Sequence, residues 1–151
     1  MLKPIKVTTR AAMEVARLDR NKFNQAVADG FYACAPTTML GAQRVFGLSD
    51  LVGLYVFARE TEAGVSARVA GLLACRVAHE VTSYPEEDRI CFGKGVNGVE
   101  WALPISRANI DASRIMDTKV EQIRIFHVGN IKEQLLARLD EVSFPSAGVE
   151  D

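Results

Sequence analysis

The chain has 151 residues, 48% hydrophobic and 25% charged, with a formal net charge of −1. That length allows one ordinary domain or two small ones, and no run of about 18 apolar residues exists to span a membrane. Dividing the charge says more than its total: residues 1–24 hold six cations against Glu14 and Asp19, whereas residues 85–151 hold eight cations against twelve acids. A basic end on an otherwise acidic chain is the asymmetry expected when one part touches a polyanion. The opening residues 1–6 lack the apolar segment of a secretory signal, which predicts a cytoplasmic protein, nucleoid-associated if it binds DNA.

In chain order, Thr8 or Thr9 is placed to cap a first helix over residues 10–17, where Ala12, Val15 and Ala16 give a small apolar face. Asp19 is placed to cap a second helix, from Arg20 to about Asp29, stopped by Gly30. Only a few residues separate the two, the spacing of a helix-turn-helix. At about 100° per residue, Phe23, Ala26 and Val27 of the second helix share the inner side. Asn21 and Gln25 point the other way, with Lys22 and Asn24 on the flanks. Asparagine and glutamine can bond adenine bidentately in the major groove, and lysine contacts guanine or phosphate.

A strand or turn at residues 31–33, a Pro- and Gly-bounded loop at 34–42 and a strand at 43–46 form the pattern of a β wing. Thr37, Thr38 and Arg44 are suitable phosphate contacts there. Thr9, Arg10 and Arg20 complete the candidate DNA-binding set. Ser49 is expected to cap a third helix with Leu51, Leu54, Tyr55 and Ala58 at helical spacing. Ser66 is expected to cap a fourth, with Ala67, Ala70, Leu73, Ala74 and Val77 as core material.

Residues 84–88 mark a boundary, so the domains read as 1–84 for the winged helix-turn-helix and 85–144 for a small α/β unit. Residues 145–151 are expected to be a disordered tail. In the second unit, Asn97-Gly98 sits between alternating apolar residues and predicts a hairpin whose two turn positions both have φ > 0. A strand over 120–126 follows, then a final helix capped by Asn130 with Glu133 three residues on. Ile131, Leu135, Leu136, Leu139 and Val142 line one side of that helix, either packing on its own sheet or forming a dimer contact. Residues 105–117 read as loop with a helical turn.

Cys34, Cys75 and Cys91 are scattered, with no C-x-x-C pair, so neither a disulfide framework nor a zinc finger is expected. Reduced, mostly buried thiols are the expectation. His79 and His127 are the only histidines. No catalytic triad, phosphate-cradling loop, metal site or cofactor is read, and Gly93-Lys94-Gly95 lacks the rest of a P-loop.

Several motifs carry a resemblance. Residues 41–46, which contain a Gly, Arg44 and the aromatic Phe46, resemble the wing motif of the MerR-like winged helix-turn-helix family. Residues 49–54 resemble that family's third-helix start, and residues 60–66 its acidic-x-x-Gly-x-Ser link. Gly30-Phe31 similarly resembles the end of its recognition helix. The likeness covers residues 8–80 and is nearest to divergent, prophage-type members. It departs from the family where an Arg-Tyr-Tyr run is usual, since Asn24-Gln25-Ala26 stand there, and a long C-terminal coiled-coil helix is missing.

The expectation is thus an α+β protein: an N-terminal winged helix-turn-helix followed by a small β-hairpin, strand and helix domain. It is read as a non-enzymatic, sequence-specific double-stranded DNA-binding transcription regulator acting as a homodimer. The C-terminal unit would hold the dimer contact, an effector pocket or a protein partner. The alternative is a protein–protein adaptor whose winged fold has lost DNA binding.

Overall fold

A computed structural model describes residues 4–38 and 43–142. The expected tail at 145–151 and residues 39–42 of the expected wing loop lie outside the described residues. Among those described, the fold is mixed α+β, with five α-helices and two sheets.

The chain opens with β1 (Val7–Thr8), α1 (Thr9–Ala16) and α2 (Arg20–Ala28). Thr8 caps α1, its hydroxyl accepting the Ala11 N–H at 3.2 Å, and the Asp19 carboxylate caps α2 by accepting the Lys22 N–H at 3.0 Å. Between them Arg17 adopts a left-handed φ of 55°. That geometry lets the Arg17 and Leu18 N–H groups reach back to the Glu14 and Met13 carbonyls, which closes α1.

The expected wing is built differently. Residues 31–33 form no strand: Gly30 turns at φ +77°, and the Phe31 N–H is already donated to the Ala26 carbonyl at 2.8 Å. A ladder at Phe31 would need that donor. The second strand, β2 (Val45–Phe46), instead pairs antiparallel with β1, Val7 opposite Phe46 and Thr8 opposite Val45. Tyr32 becomes a core residue. Its ring meets Phe23 and Phe57 edge-on at 5.5 Å and 5.2 Å, and Phe23 in turn meets Phe46 at 6.0 Å. This aromatic group ties α2 and β2 to the next helix.

That helix, α3 (Leu48–Glu62), starts earlier than Ser49 would set it, because the Asp50 carboxylate accepts the Gly47 N–H at 2.8 Å. Ser66 does cap α4 (Ala67–Ser83), accepting the Val69 N–H at 3.3 Å. The α3–α4 contact is the most extensive between elements.

The second half contains β3 (Ile90–Gly95), β4 (Glu100–Pro104), a short 3-10 turn (Ile105–Arg107), β5 (Arg114–Ile115), β6 (Thr118–Phe126) and α5 (Val128–Val142). Its four strands are antiparallel, in the order β4-β3-β6-β5. The two φ > 0 turn positions expected at Asn97-Gly98 are not both there. Only Gly98 turns, at φ +85°, and the Asn97 side chain accepts the Val99 N–H at 3.1 Å instead. The two-residue turn with both φ values positive falls at Met116 and Asp117, 55° and 58°, between β5 and β6.

The sheet separates two apolar groups. On one face Cys91, Trp101 and Ile115 form a small cluster with Leu103 and Ile123. On the other, Ile90 joins the main core, with Phe92, Ala102 and Phe126 packed against it. That core runs from α1 to α5 and holds Val15, Leu54, Phe57, Val77, Val128 and Leu135 together. One core therefore crosses the expected boundary at residue 84. The apolar stripe of α5 packs chiefly on α1 and α3 rather than on its own sheet. The helix begins at Val128, so Asn130 lies inside its first turn rather than capping it.

Candidate nucleic-acid interface

The α2 helix presents its polar face to solvent because its apolar residues are used up inside. Phe23 and Ala26 are buried and Val27 is half-buried, while Arg20, Asn21, Lys22, Asn24 and Gln25 are all exposed. The Asp19 cap and the Gly30 turn set its two ends, and the rings around Phe23 hold its inner face to the body. Gln25 is further oriented, since its Nε2 donates to the Asp29 carboxylate at 2.9 Å.

Other expected residues fall elsewhere. Thr9 is buried at 5% exposure, so its hydroxyl does not reach the surface, a correction that follows from α1 turning Thr9 inward with Ala12 and Met13. Arg10 is exposed. Thr37 and Thr38 are exposed in the segment after α2, and Arg44 is half-buried. The Arg44 guanidinium donates through Nη1 to the Pro36 carbonyl. One cation that pattern reading left out is Arg17, exposed at the turn between α1 and α2. Its signal was faint, because a non-glycine C-cap has no local marker.

The surrounding groups are electrostatically mixed. Among described residues, Lys6, Arg10, Arg17, Arg20 and Lys22 are exposed on the N-terminal elements, against Glu14, Asp19 and Asp29. Asp19 caps the helix and Asp29 accepts from Gln25, and both carboxylates stay exposed, so their negative charge remains at this surface. Beneath α2, burial pushes the Tyr32 hydroxyl far above its ordinary range, and the nearby Asp50 carboxylate adds to this. Burial also raises Asp50, against the lowering effect of the Gly47 N–H. Tyr32 is neutral and acts here as a packing group.

The cysteine expectation is corrected. Cys34 and Cys75 are bonded to each other, their α-carbons 5.5 Å apart. Forty-one residues separate them in sequence, and contact between them depends on α4 meeting the segment after α2 at Gly71. A Cβ there would lie 1.9 Å from the Phe31 carbonyl oxygen. Cys91 is a buried thiol, its pKa raised by burial.

In the C-terminal half, a groove of about 350 Å³ lies between α4 and the sheet, walled by Val69, Leu72, Phe92, Lys94 and Arg124 among others. Glu60 borders it and binds the Arg124 guanidinium through two hydrogen bonds of 2.9 Å, which holds the Glu60 carboxyl below its ordinary range. Among the described residues, no group of three or more His, Cys, Asp or Glu side chains is placed to hold a metal, and no helix is long and apolar enough to cross a membrane.

No protein-family model matches this chain, and no curated protein matches it.

Proposed function

We propose that this protein is a sequence-specific double-stranded DNA-binding transcription regulator that acts as a homodimer at the bacterial nucleoid. The observation that carries the reading is the exposed row of Asn21, Lys22, Asn24 and Gln25 on a rigidly seated α2, directly after a three-residue turn from α1. A helix of α2's diameter fits the major groove, and amide side chains supply the paired donor and acceptor that adenine presents there. Arg17 and Arg20 flank the row as phosphate contacts. β2 stands where the MerR-like resemblance expects the wing's second strand, with β1 rather than residues 31–33 as its partner. A single module of this size buries little DNA, so two copies on adjacent half-sites supply the affinity.

One observation favours the adaptor reading. Arg44, the expected phosphate contact of the wing, uses its Nη1 on Pro36. Selection from a random duplex pool, followed by gel shift of the enriched sequence at several salt concentrations, decides between the two. Enrichment of a motif whose binding weakens steeply with salt supports the regulator. Failure to enrich any duplex sinks it and leaves the adaptor.

A further inference from the structure

We propose that Cys34 and Cys75 form a reversible dithiol–disulfide pair, reached through a surface cleft by a small thiol of the glutathione class, which sets how firmly the segment after α2 is held. Three observations converge on the pair.

The first is its position. Cys34 lies four residues past Gly30, the turn that follows α2, and Cys75 lies in the body of α4. The segment after α2 is anchored without covalent help as far as Tyr32, through the Phe31 N–H on Ala26 and the buried Tyr32 ring. Beyond Tyr32 its ties among the described residues are the disulfide, the Cys34 N–H donated to the Cys75 Sγ at 3.3 Å, partial packing of Ala35 and the Arg44 guanidinium on the Pro36 carbonyl. Thr37 and Thr38 lie on this stretch.

The second is access. Cys75 is half-buried and lines a cleft of about 310 Å³ with Leu72, Arg76, His79, Glu80 and Ala102. Cys34 is half-buried as well, but of the two only Cys75 borders this cleft, so a small thiol seated in it lies against Cys75.

The third is chemistry. An incoming thiolate attacks Cys75 Sγ, forming a mixed disulfide and breaking the bond to Cys34, which leaves as a thiolate. A second thiolate attacks the incoming sulfur of that mixed disulfide, releases the small disulfide and frees Cys75 as a thiolate. Two electrons pass from two small thiols to the pair, and the same small disulfide reverses both steps. The Cys34 N–H aimed at Cys75 Sγ favours the Cys75 thiolate, which is released in the second reductive step and is the attacking group that opens the reverse reaction. Under the nucleoid location proposed above, a permanent staple would be unusual in a reducing compartment and an exchangeable pair at home there; the exchange chemistry itself does not depend on that reading.

The test uses the full chain and needs no DNA, so its outcome is independent of the proposed function. The chain is equilibrated with mixtures of reduced and oxidised glutathione, free thiols are trapped by alkylation, and the products are mapped by mass spectrometry. Cys34 and Cys75 should change together from alkylated to protected as the mixture becomes oxidising, with Cys91 labelled only after unfolding. After brief exposure, glutathione should be found on Cys75 at least about ten-fold more often than on Cys34. The same bias should appear when Cys34→Ser is compared with Cys75→Ser. Reduction should speed amide exchange at residues 33–38 by about ten-fold or more, with α1 and α3 unchanged. Alkylation of both cysteines at every ratio, equal labelling of the two, or unchanged exchange at 33–38 would each overturn the proposal.

Discussion

The Arg138 guanidinium, in the C-terminal part of α5, donates a 2.8 Å hydrogen bond from Nη1 to the main-chain carbonyl of Val15, in the last turn of α1. The final carbonyls of a helix have no partner within it, so the far end of the chain completes the helix that precedes the α1–α2 turn. Arg138 is 8% exposed and its guanidinium stands 5.9 Å from the Tyr55 ring centre. Replacing it removes a bond to a charged donor together with buried packing. Arg138→Ala should cost about 2 kcal/mol, read in urea unfolding, with a fall in Tm of about 4–8 °C. Arg138→Lys should recover part of the loss. No change in the unfolding midpoint would mean that α5 does not support α1.

The Glu60–Arg124 pair joins α3 to the sheet, and its pH dependence has a definite sign. The hydrogen bonds from Arg124 lower the Glu60 pKa in the folded state. The unfolded chain therefore binds the proton more readily, and the stability from this pair is present above the ordinary glutamate pKa and lost as pH falls through the lowered value. The Arg124 side chain is 46% exposed, so solvent screening holds the contribution below about 1 kcal/mol. Stability measured between about pH 5 and pH 3 should fall less steeply in Glu60→Gln than in the unsubstituted chain. Parallel curves would show that the pair contributes nothing.

Gly71 tests the contact that seats the segment after α2. A methyl group there would collide with the Phe31 carbonyl, which is main chain and cannot rotate away. Gly71→Ala should therefore destabilise by about 2–3 kcal/mol, although alanine is the better helix former at an ordinary interior position. A rise in Tm would place the segment further from α4 than described here.

Met116 and Asp117 both stand at positive φ, 55° and 58°, in a turn that suits Asn-Gly. An ordinary side chain such as that of Met116 costs about 1–2 kcal/mol in that region, which aspartate visits more readily. The double replacement Met116→Asn with Asp117→Gly should raise stability by about 1 kcal/mol in chemical denaturation, without altering any DNA binding. A loss of stability would indicate that the exposed Met116 side chain does more than cross the turn.

On the proposed DNA face, Asn21→Ala and Gln25→Ala should each cost about 1–3 kcal/mol of affinity for the selected sequence, with relaxed preference at one base position. Lys22→Ala should weaken all duplexes alike and reduce the salt slope by about one. Asp29→Ala should behave as a weaker Gln25→Ala, because it removes the partner that orients that amide. Equal effects of Asn21→Ala on selected and random duplexes would remove base reading from α2.

Legibility in the sequence followed the range of the interactions. Thr8, Asp19 and Ser66 cap their helices where expected because each bonds an N–H three residues ahead, within one turn of its own backbone. The polar face of α2 was readable for the same reason, since helical periodicity alone divides Phe23 and Ala26 from Asn21 and Gln25. Asn97-Gly98 has the residue types of a turn with two positive φ values and Met116-Asp117 does not, yet the pair of positive φ values stands at the second, in a hairpin that residue type does not mark.

What the sequence determined about α2 is its extent, its caps and its outward row of amides and cations, because local hydrogen bonds and a 3.6-residue period decide them. Tertiary structure alone decided that β2 pairs with β1, that Tyr32 seats α2 in an aromatic core, that Thr9 is buried and that Arg138 closes α1. It also decided that Cys34 meets Cys75. Each of these joins residues that are distant in sequence or turns on which face is covered, and such contacts acquire their free energy only when the whole core is assembled.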